Sequence, residues 1–178
     1  MIRGLRGKLL EPAGTNTTIV CLSFDGWTKY SELKKGRADA RKAFMAMPFG
    51  ELKVDQVFTV FEKACADTDF RLVRLDKHPK AGIIDNRLRV DIGTSRFVIA
   101  DLTNDNKGAY WEGGFAEGLG KPVFCSYEKS FFKEKPSHFD ANHSYTVLWE
   151  VHNLEAAGEE LKNAIRATLP GEAKMSDD

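Results

Sequence analysis

The sequence predicts a doubly wound α/β protein, a five-stranded parallel sheet with helices on both faces, and three observations lead there. From Lys42 onward, short apolar runs alternate with stretches whose apolar residues recur at helical spacing. The first run, KAFMAMPF, is apolar almost throughout, as in a strand buried on both faces. Acidic and polar residues collect where the runs end, the edge at which such sheets bind ligands.

The elements follow in order. Residues 1–40 stand apart as an N-terminal appendage or linker. Within them TTIVCLS (17–23) reads as a strand, residues 25–35 as a short helix stopped by Gly36, and the charged KKGRADARK as the lead into the domain. Strand one is 42–49, ended by Pro48, and Val54, Val57, Phe58, Phe61, Ala64 and Cys65 then share one face of a helix. FRLVRLD (70–76) is strand two; Pro79 and Gly82 break the chain, and Ile84, Leu88 and Ile92 mark the next helix. RFVIADL (96–102) is strand three, and the helix of 109–119 stops at Gly120, with Pro122 just beyond. PVFCSY (122–127) and SYTVLWEV (144–151) are strands four and five, the last followed by a helix through Leu154, Ala157, Leu161 and Ile165. Repeated strand–helix units imply right-handed crossovers and the flavodoxin-like strand order 2-1-3-4-5. The domain so defined is 41–170, with 171–178 expected as a disordered tail.

A chain of 178 residues, 42% hydrophobic and 29% charged, suits one globular domain with a real core. Lys plus Arg balances Asp plus Glu, 26 against 26, so bulk charge points to neither a nucleic-acid nor a membrane partner. No apolar run approaches the roughly 18–20 residues of a membrane span, and the basic N-terminus lacks the apolar stretch of a signal peptide. Cys21, Cys65 and Cys125 form no C-x-x-C pair, which argues against a zinc knuckle or disulfide framework and for a reducing, cytoplasmic setting. The four histidines and the scattered acids show no metal-ligand spacing. Neither a phosphate-binding loop nor a dinucleotide motif occurs, so no metal or cofactor is expected.

Three carboxylates meet at the expected ligand edge. Asp76 ends strand two, Asp101 ends strand three, and Glu112 lies one turn into the following helix. Glu112 shares its helix face with Ala109, Phe115, Ala116 and Leu119, so a charge points where apolar side chains point. Near a helix N-terminus the macrodipole favours the anion, whereas burial opposes it. An acid held between these effects stays ionised but poorly solvated, which suits a nucleophile, and a second carboxylic acid nearby would protonate a leaving group. The other reading of Glu112 is a side chain that caps or orients the loop Asn104-Asp105-Asn106.

FMAMPFG (44–50), RLVRLD (71–76), IIDNRLRVDIGTSRFVIADLTNDN (83–106) and AYWEGGFAEGLGKPVF (109–124) resemble motifs of the nucleoside 2-deoxyribosyltransferase-like superfamily. That group includes nucleotide N-glycosidases and is distantly similar to TIR-type domains. LSFDGWTKYSEL (22–33) and SHFDANHSYTVLW (137–149) are similar to the flanks of one bacterial subgroup. The resemblance implies Glu112 as nucleophile, Asp76 as the acid that protonates the departing base, and Asp101 as a contact to sugar hydroxyls or to the loop. It further implies substrate contacts from Phe44, Met47, Pro48, Phe49, Asp85, Thr103 and Asn106. Two positions depart from the pattern: Phe44 stands for a Tyr that orients the nucleophile, and Lys107-Gly108-Ala109 for an Asn-Val pair. The expected activity is hydrolysis or transfer at the N-glycosidic bond of a nucleoside, nucleotide or related molecule. TIR-like NAD cleavage is the enzymatic alternative, and a non-catalytic sensor of a nucleotide-type ligand is the alternative from another class. A homodimer or larger assembly is implied too, with Trp111, Phe115, Phe131 and Phe132 as apolar contact candidates.

Other residues keep two readings. Trp111 is a base-stacking aromatic, a packing residue or a subunit contact. His138 and Asp140, in SHFD, either reach the rim or sit at the surface as turn residues. Cys125, Met45 and Met47 read as core side chains. Gly113-Gly114 costs helix stability and reads as a point of close approach for a ligand or a second helix.

Overall fold

Successive residues of a strand point to opposite faces, so strands that are apolar on both faces need a layer of helices on each side. The computed structural model describes residues 10–13, 16–27, 41–48, 50–75, 84–134 and 145–177. The chain divides into two compact units, Met1–Arg37 and Ala38–Asp178. In the first, β1 (Leu10–Ala13) and β2 (Asn16–Leu22) form an antiparallel pair with Leu10 opposite Leu22 and an irregularity between Pro12 and Ala13. Strand β2 lies where residues 17–23 read as one, whereas β1, which carries Glu11 and Pro12, was not foreseen. The helix expected at 25–35 falls largely outside the described residues; 24–27 form a helical turn.

The second unit holds the sheet. It comprises β3 (Lys42–Ala46), α1 (Leu52–Asp67), β4 (Arg71–Val73), α2 (Ile84–Thr94), β5 (Phe97–Asp101) and α3 (Lys107–Gly118). After these come β6 (Val123–Glu128), α4 (Lys129–Glu134), β7 (Tyr145–Trp149) and α5 (Leu154–Thr168). The strands lie in the order β4-β3-β5-β6-β7, every neighbouring pair parallel. Counted from Lys42 this is 2-1-3-4-5, the flavodoxin-like arrangement expected from the sequence. Strand β4 is shorter than the expected 70–76, which leaves Arg74 and Leu75 beyond its end. Helix α4 was not anticipated; KSFFKE is too short for a helical period to show, and its Phe132 packs edge-on against Tyr127, centroids 5.3 Å apart.

The two faces carry two cores. Met45, Ile99, Phe124 and Trp149 pack with Val57 and Phe61 of α1 and with Leu161 and Ile165 of α5. Phe44, Val98, Ala100 and Cys125 pack with Leu88 and Ile92 of α2 and with Ala109 and Ala116 of α3. Each such large side chain, fully withdrawn from water, contributes about 1.5–3 kcal/mol. Phe97 sits edge-on to both Phe70 and Phe124, at 5.1 and 5.3 Å, which adds directional contacts to that burial.

Residues 171–177, expected as a disordered tail, are packed instead. Glu172 accepts two 2.7 Å hydrogen bonds from Arg96, the Lys174 amide donates to the Thr68 carbonyl at 3.1 Å, and Ala173 is buried. Asp177 pairs with Lys162 and Arg166, which pull its carboxyl down to about 2. Composition alone suggested disorder because the tail's partners lie far away in sequence.

Helices α1 and α5 approach so closely that a methyl group on Gly158 would lie 2.7 Å from Cγ1 of Val60. Gly158→Ala is therefore expected to destabilise the protein by about 1–3 kcal/mol in urea denaturation, although alanine is the better helix former. Adding Val60→Ala in the same chain should recover most of that loss.

Candidate functional site

The carboxyl end of β5 organises the ligand edge. Asp101 is completely buried, and three donors converge on its carboxylate: Ser126 Oγ at 2.7 Å, Trp149 Nε1 at 2.9 Å and the Thr103 amide at 3.2 Å. Burial pushes this carboxyl above its ordinary range, and those three hydrogen bonds oppose the shift. The loop that follows is pinned at both ends. Thr103 Oγ1 accepts from the Glu128 amide at 2.9 Å, and Asn106 Nδ2 donates to the Asp101 carbonyl at 3.3 Å. Between them Asn104 and Asp105 adopt positive φ, 57° and 58°, a conformation that Asn and Asp reach more easily than other side chains. Asn106 then caps α3, its Oδ1 accepting from the Ala109 amide at 3.4 Å.

Helix α3 carries Glu112 against the sheet. Ala109 and Ala116 on the same face are buried, and Phe115 and Leu119 partly so, as their register indicates. Glu112 lines a recess with Phe44, Met45, Met47, Arg74 and Leu75, about 20 Å³ in volume. Its carboxyl is raised from 4.5 to about 7 by burial. Among the described residues it makes no hydrogen bond and no ion pair. Burial therefore wins over the helix terminus: Glu112 is the sixth residue of α3, beyond the first turn in which the macrodipole acts. Near neutral pH the group is therefore divided between its charged and neutral forms, rather than wholly ionised as expected from the sequence.

Arg74 lines the same recess, and its guanidinium is held from three sides. Nη1 donates to Asp55 Oδ1 and lies 3.8 Å from Met47 Sδ, and the group stacks over the Phe58 ring, 4.4 Å from its centroid. Arg74 was read from the sequence only as one of the alternating basic residues of a strand. The signal that could have marked it is its position just after the strand's end, at the ligand edge.

Of the residues singled out from the sequence, Phe44 and Met47 join Glu112 in the recess. Asp101, Thr103 and Asn106 come together nearby, but their side chains are engaged in holding the loop. Asp101 thus takes the loop-binding role rather than a sugar contact. Pro48 is half-buried beyond β3 and does not line the recess. Trp111 is adjacent to Glu112 in sequence yet on another side of α3, stacked on Phe115 at 5.4 Å with Arg89 over its ring at 5.6 Å. Gly113 has room for a methyl group beside Ala100 and Val123, and Gly114 faces open space, so neither marks a close approach. Asp76, Phe49, His138 and Asp140 lie outside the described residues, as does the side chain of Asp85. Cys65 and Cys125 are buried thiols, and burial raises that of Cys65. A larger hollow of about 250 Å³ beside the ends of β6 and β7 is lined by acids that are already paired: Glu150 with Lys129 and His152, Glu128 with Lys53. Among the described residues no helix is long and apolar enough to cross a membrane, and no three His, Cys, Asp or Glu side chains are grouped to hold a metal.

No family model matches the chain, and no curated protein matches it. Among solved structures it is similar to the sugar isomerase domain of an RpiR transcription factor from Sphaerobacter thermophilus. That match has 13% identity and a TM-score of 0.46, and covers 84% of this chain and 82% of that one. The expected membership of the nucleoside 2-deoxyribosyltransferase-like superfamily is corrected by these findings, since no family model and no curated protein matches the chain. The activities that came with it fall too: N-glycosidic cleavage by hydrolysis or transfer, TIR-like NAD hydrolysis, and Glu112 as a glycosidase nucleophile.

Two outcomes follow for stability. Glu112 is harder to ionise when folded, so its contribution to wild-type stability should fall as pH rises from about 4.5 through 7 and stay low above it. Glu112→Gln should match wild type near pH 4.5 and exceed it at pH 8, by about 3 kcal/mol if the whole shift is expressed, read as melting temperature against pH. Asp101→Asn should cost about 1–3 kcal/mol at pH 7 in urea denaturation, because it leaves a buried donor facing a donor.

Proposed function

We propose that the protein is a binding module for a small hydroxylated ligand, seated at the carboxyl ends of β3 and β4 against Glu112. The observation that carries this reading is the half-buried carboxyl of Glu112, without a partner among the described residues and lining a recess. A carboxyl poised near pH 7 presents both a donor and an acceptor, which is the hydrogen-bonding pattern that a hydroxyl group complements. The recess of about 20 Å³ matches one water-sized group, so one hydroxyl enters it and the rest of the ligand lies over the rim. The position at the carboxyl edge of a doubly wound sheet supports the reading. A sugar is the plainest form of such a ligand, and a nucleoside, with its ribose hydroxyls, is the more specific form. Free thiols at Cys21, Cys65 and Cys125 suit a reducing, cytoplasmic setting. A homodimer is part of the proposal, supported by the half-exposed Trp111; light scattering that gives a monomer at micromolar protein would remove it.

Titration calorimetry with pentoses, hexoses and nucleosides is the test. At least one is expected to bind saturably, with Glu112→Leu weakening it tenfold or more, equivalent to about 1.4 kcal/mol. Binding that is as tight in Glu112→Leu as in the wild type would sink the reading.

A further inference from the structure

Arg96 and Arg166 spend both Nε and Nη2 on protein groups. Arg96 gives both Nε and Nη2 to Glu172, each at 2.7 Å. Arg74 does the opposite. Asp55 engages Nη1 alone, while Phe58 and Met47 restrain the group by stacking and by contact with sulfur, and among the described residues Nε and Nη2 make no hydrogen bond. A planar guanidinium fixed on one side, with a fork of donors unused on the other, is pre-organised for two oxygens of one oxyanion. Its side chain is about a quarter exposed, 26%, and it lines the recess that also holds Glu112.

We propose that the ligand of this site is a hydroxylated oxyanion, whose phosphate or carboxylate group is bound by the Nε–Nη2 edge of Arg74 while a hydroxyl enters the recess at Glu112. This rests on the binding reading above and names the class of ligand. Asp55 neutralises part of the Arg74 charge and repels an incoming anion. The fork geometry, rather than net charge, therefore supplies the selectivity. The tendency of Glu112 to be neutral lowers repulsion from the other wall.

The test is a matched set of ribose, ribose 5-phosphate and ribonate, titrated into the full chain by calorimetry at fixed ionic strength, with inorganic phosphate alone as a fourth ligand. At least one anionic member is expected to bind tenfold or more tightly than ribose, and which of the two does so tells phosphate from carboxylate. Arg74→Met retains the packing on Phe58 and should reduce that advantage below threefold, weakening the anions far more than it weakens ribose. Arg74→Lys, which keeps the charge and the pairing with Asp55, should retain only part of it. Ribose bound as tightly as both anions by the wild type overturns the oxyanion and leaves the binding reading standing. An Arg74→Met protein that weakens ribose and the anions equally overturns it too. No binding by any of the set overturns both, and tight binding of inorganic phosphate with no gain from the sugar overturns the hydroxyl half.

Discussion

A carboxylate with no access to water ties the ends of three parallel strands together. Asp101 ends β5, Ser126 stands beside it in register on β6, and the indole of Trp149 reaches it from β7. A buried charge without partners costs several kcal/mol, so these donors are what makes the residue tolerable there. The same carboxylate also receives the Thr103 amide, which sets the path of the loop into α3. The loop's left-handed pair, Asn104 and Asp105, and the cap at Asn106 follow from that start. Where Glu112 stands depends on this chain of contacts, because it rides on the helix that the loop aims.

The ligand edge is then a place of contrasting polar groups. Asp101 is buried and fully satisfied, and its role is architectural. Glu112 is less buried and unsatisfied, and its proton is held more tightly for that reason. Arg74 is half satisfied, anchored by Asp55 and Phe58. Only groups with unspent hydrogen-bonding capacity can recognise something from outside, which singles out Glu112 and Arg74 among these three.

The local motifs that suggested a glycosidase-related superfamily serve the fold. In ADLTNDN the Asp and the last Asn bind within the strand–loop–helix connection, and the Thr ties that connection to β6. In AYWEGGFAEGLGKP the small residues let α3 lie on the sheet, and Gly120, at φ 72°, ends it. A short connection between a buried strand and a helix at a sheet edge demands such residues whatever the protein does. A motif of this kind therefore reports the connection more strongly than the chemistry.

The five strands of the parallel sheet, the helices from α1 to α3 and α5, and the sheet order were legible in the sequence. Apolar periodicity is a local property, and the short strand-to-helix spacing leaves few topologies open. The register of Glu112 on the apolar face of α3 was legible for the same reason. The short α4 and the β1 strand were not, since six and four residues show no period. Nor was the packed tail, whose partners Arg96, Thr68 and Lys162 are distant in sequence. Tertiary structure alone decided which acid is spent and which is free. Asp101 and Glu112 are both carboxylates at the same edge, and only the donors brought by β6 and β7 distinguish a buried staple from an open hydrogen-bonding group. It alone also brought Arg74 and Glu112 to one recess, because the end of β4 and the helix that follows β5 come to the two sides of β3 only when the sheet has formed.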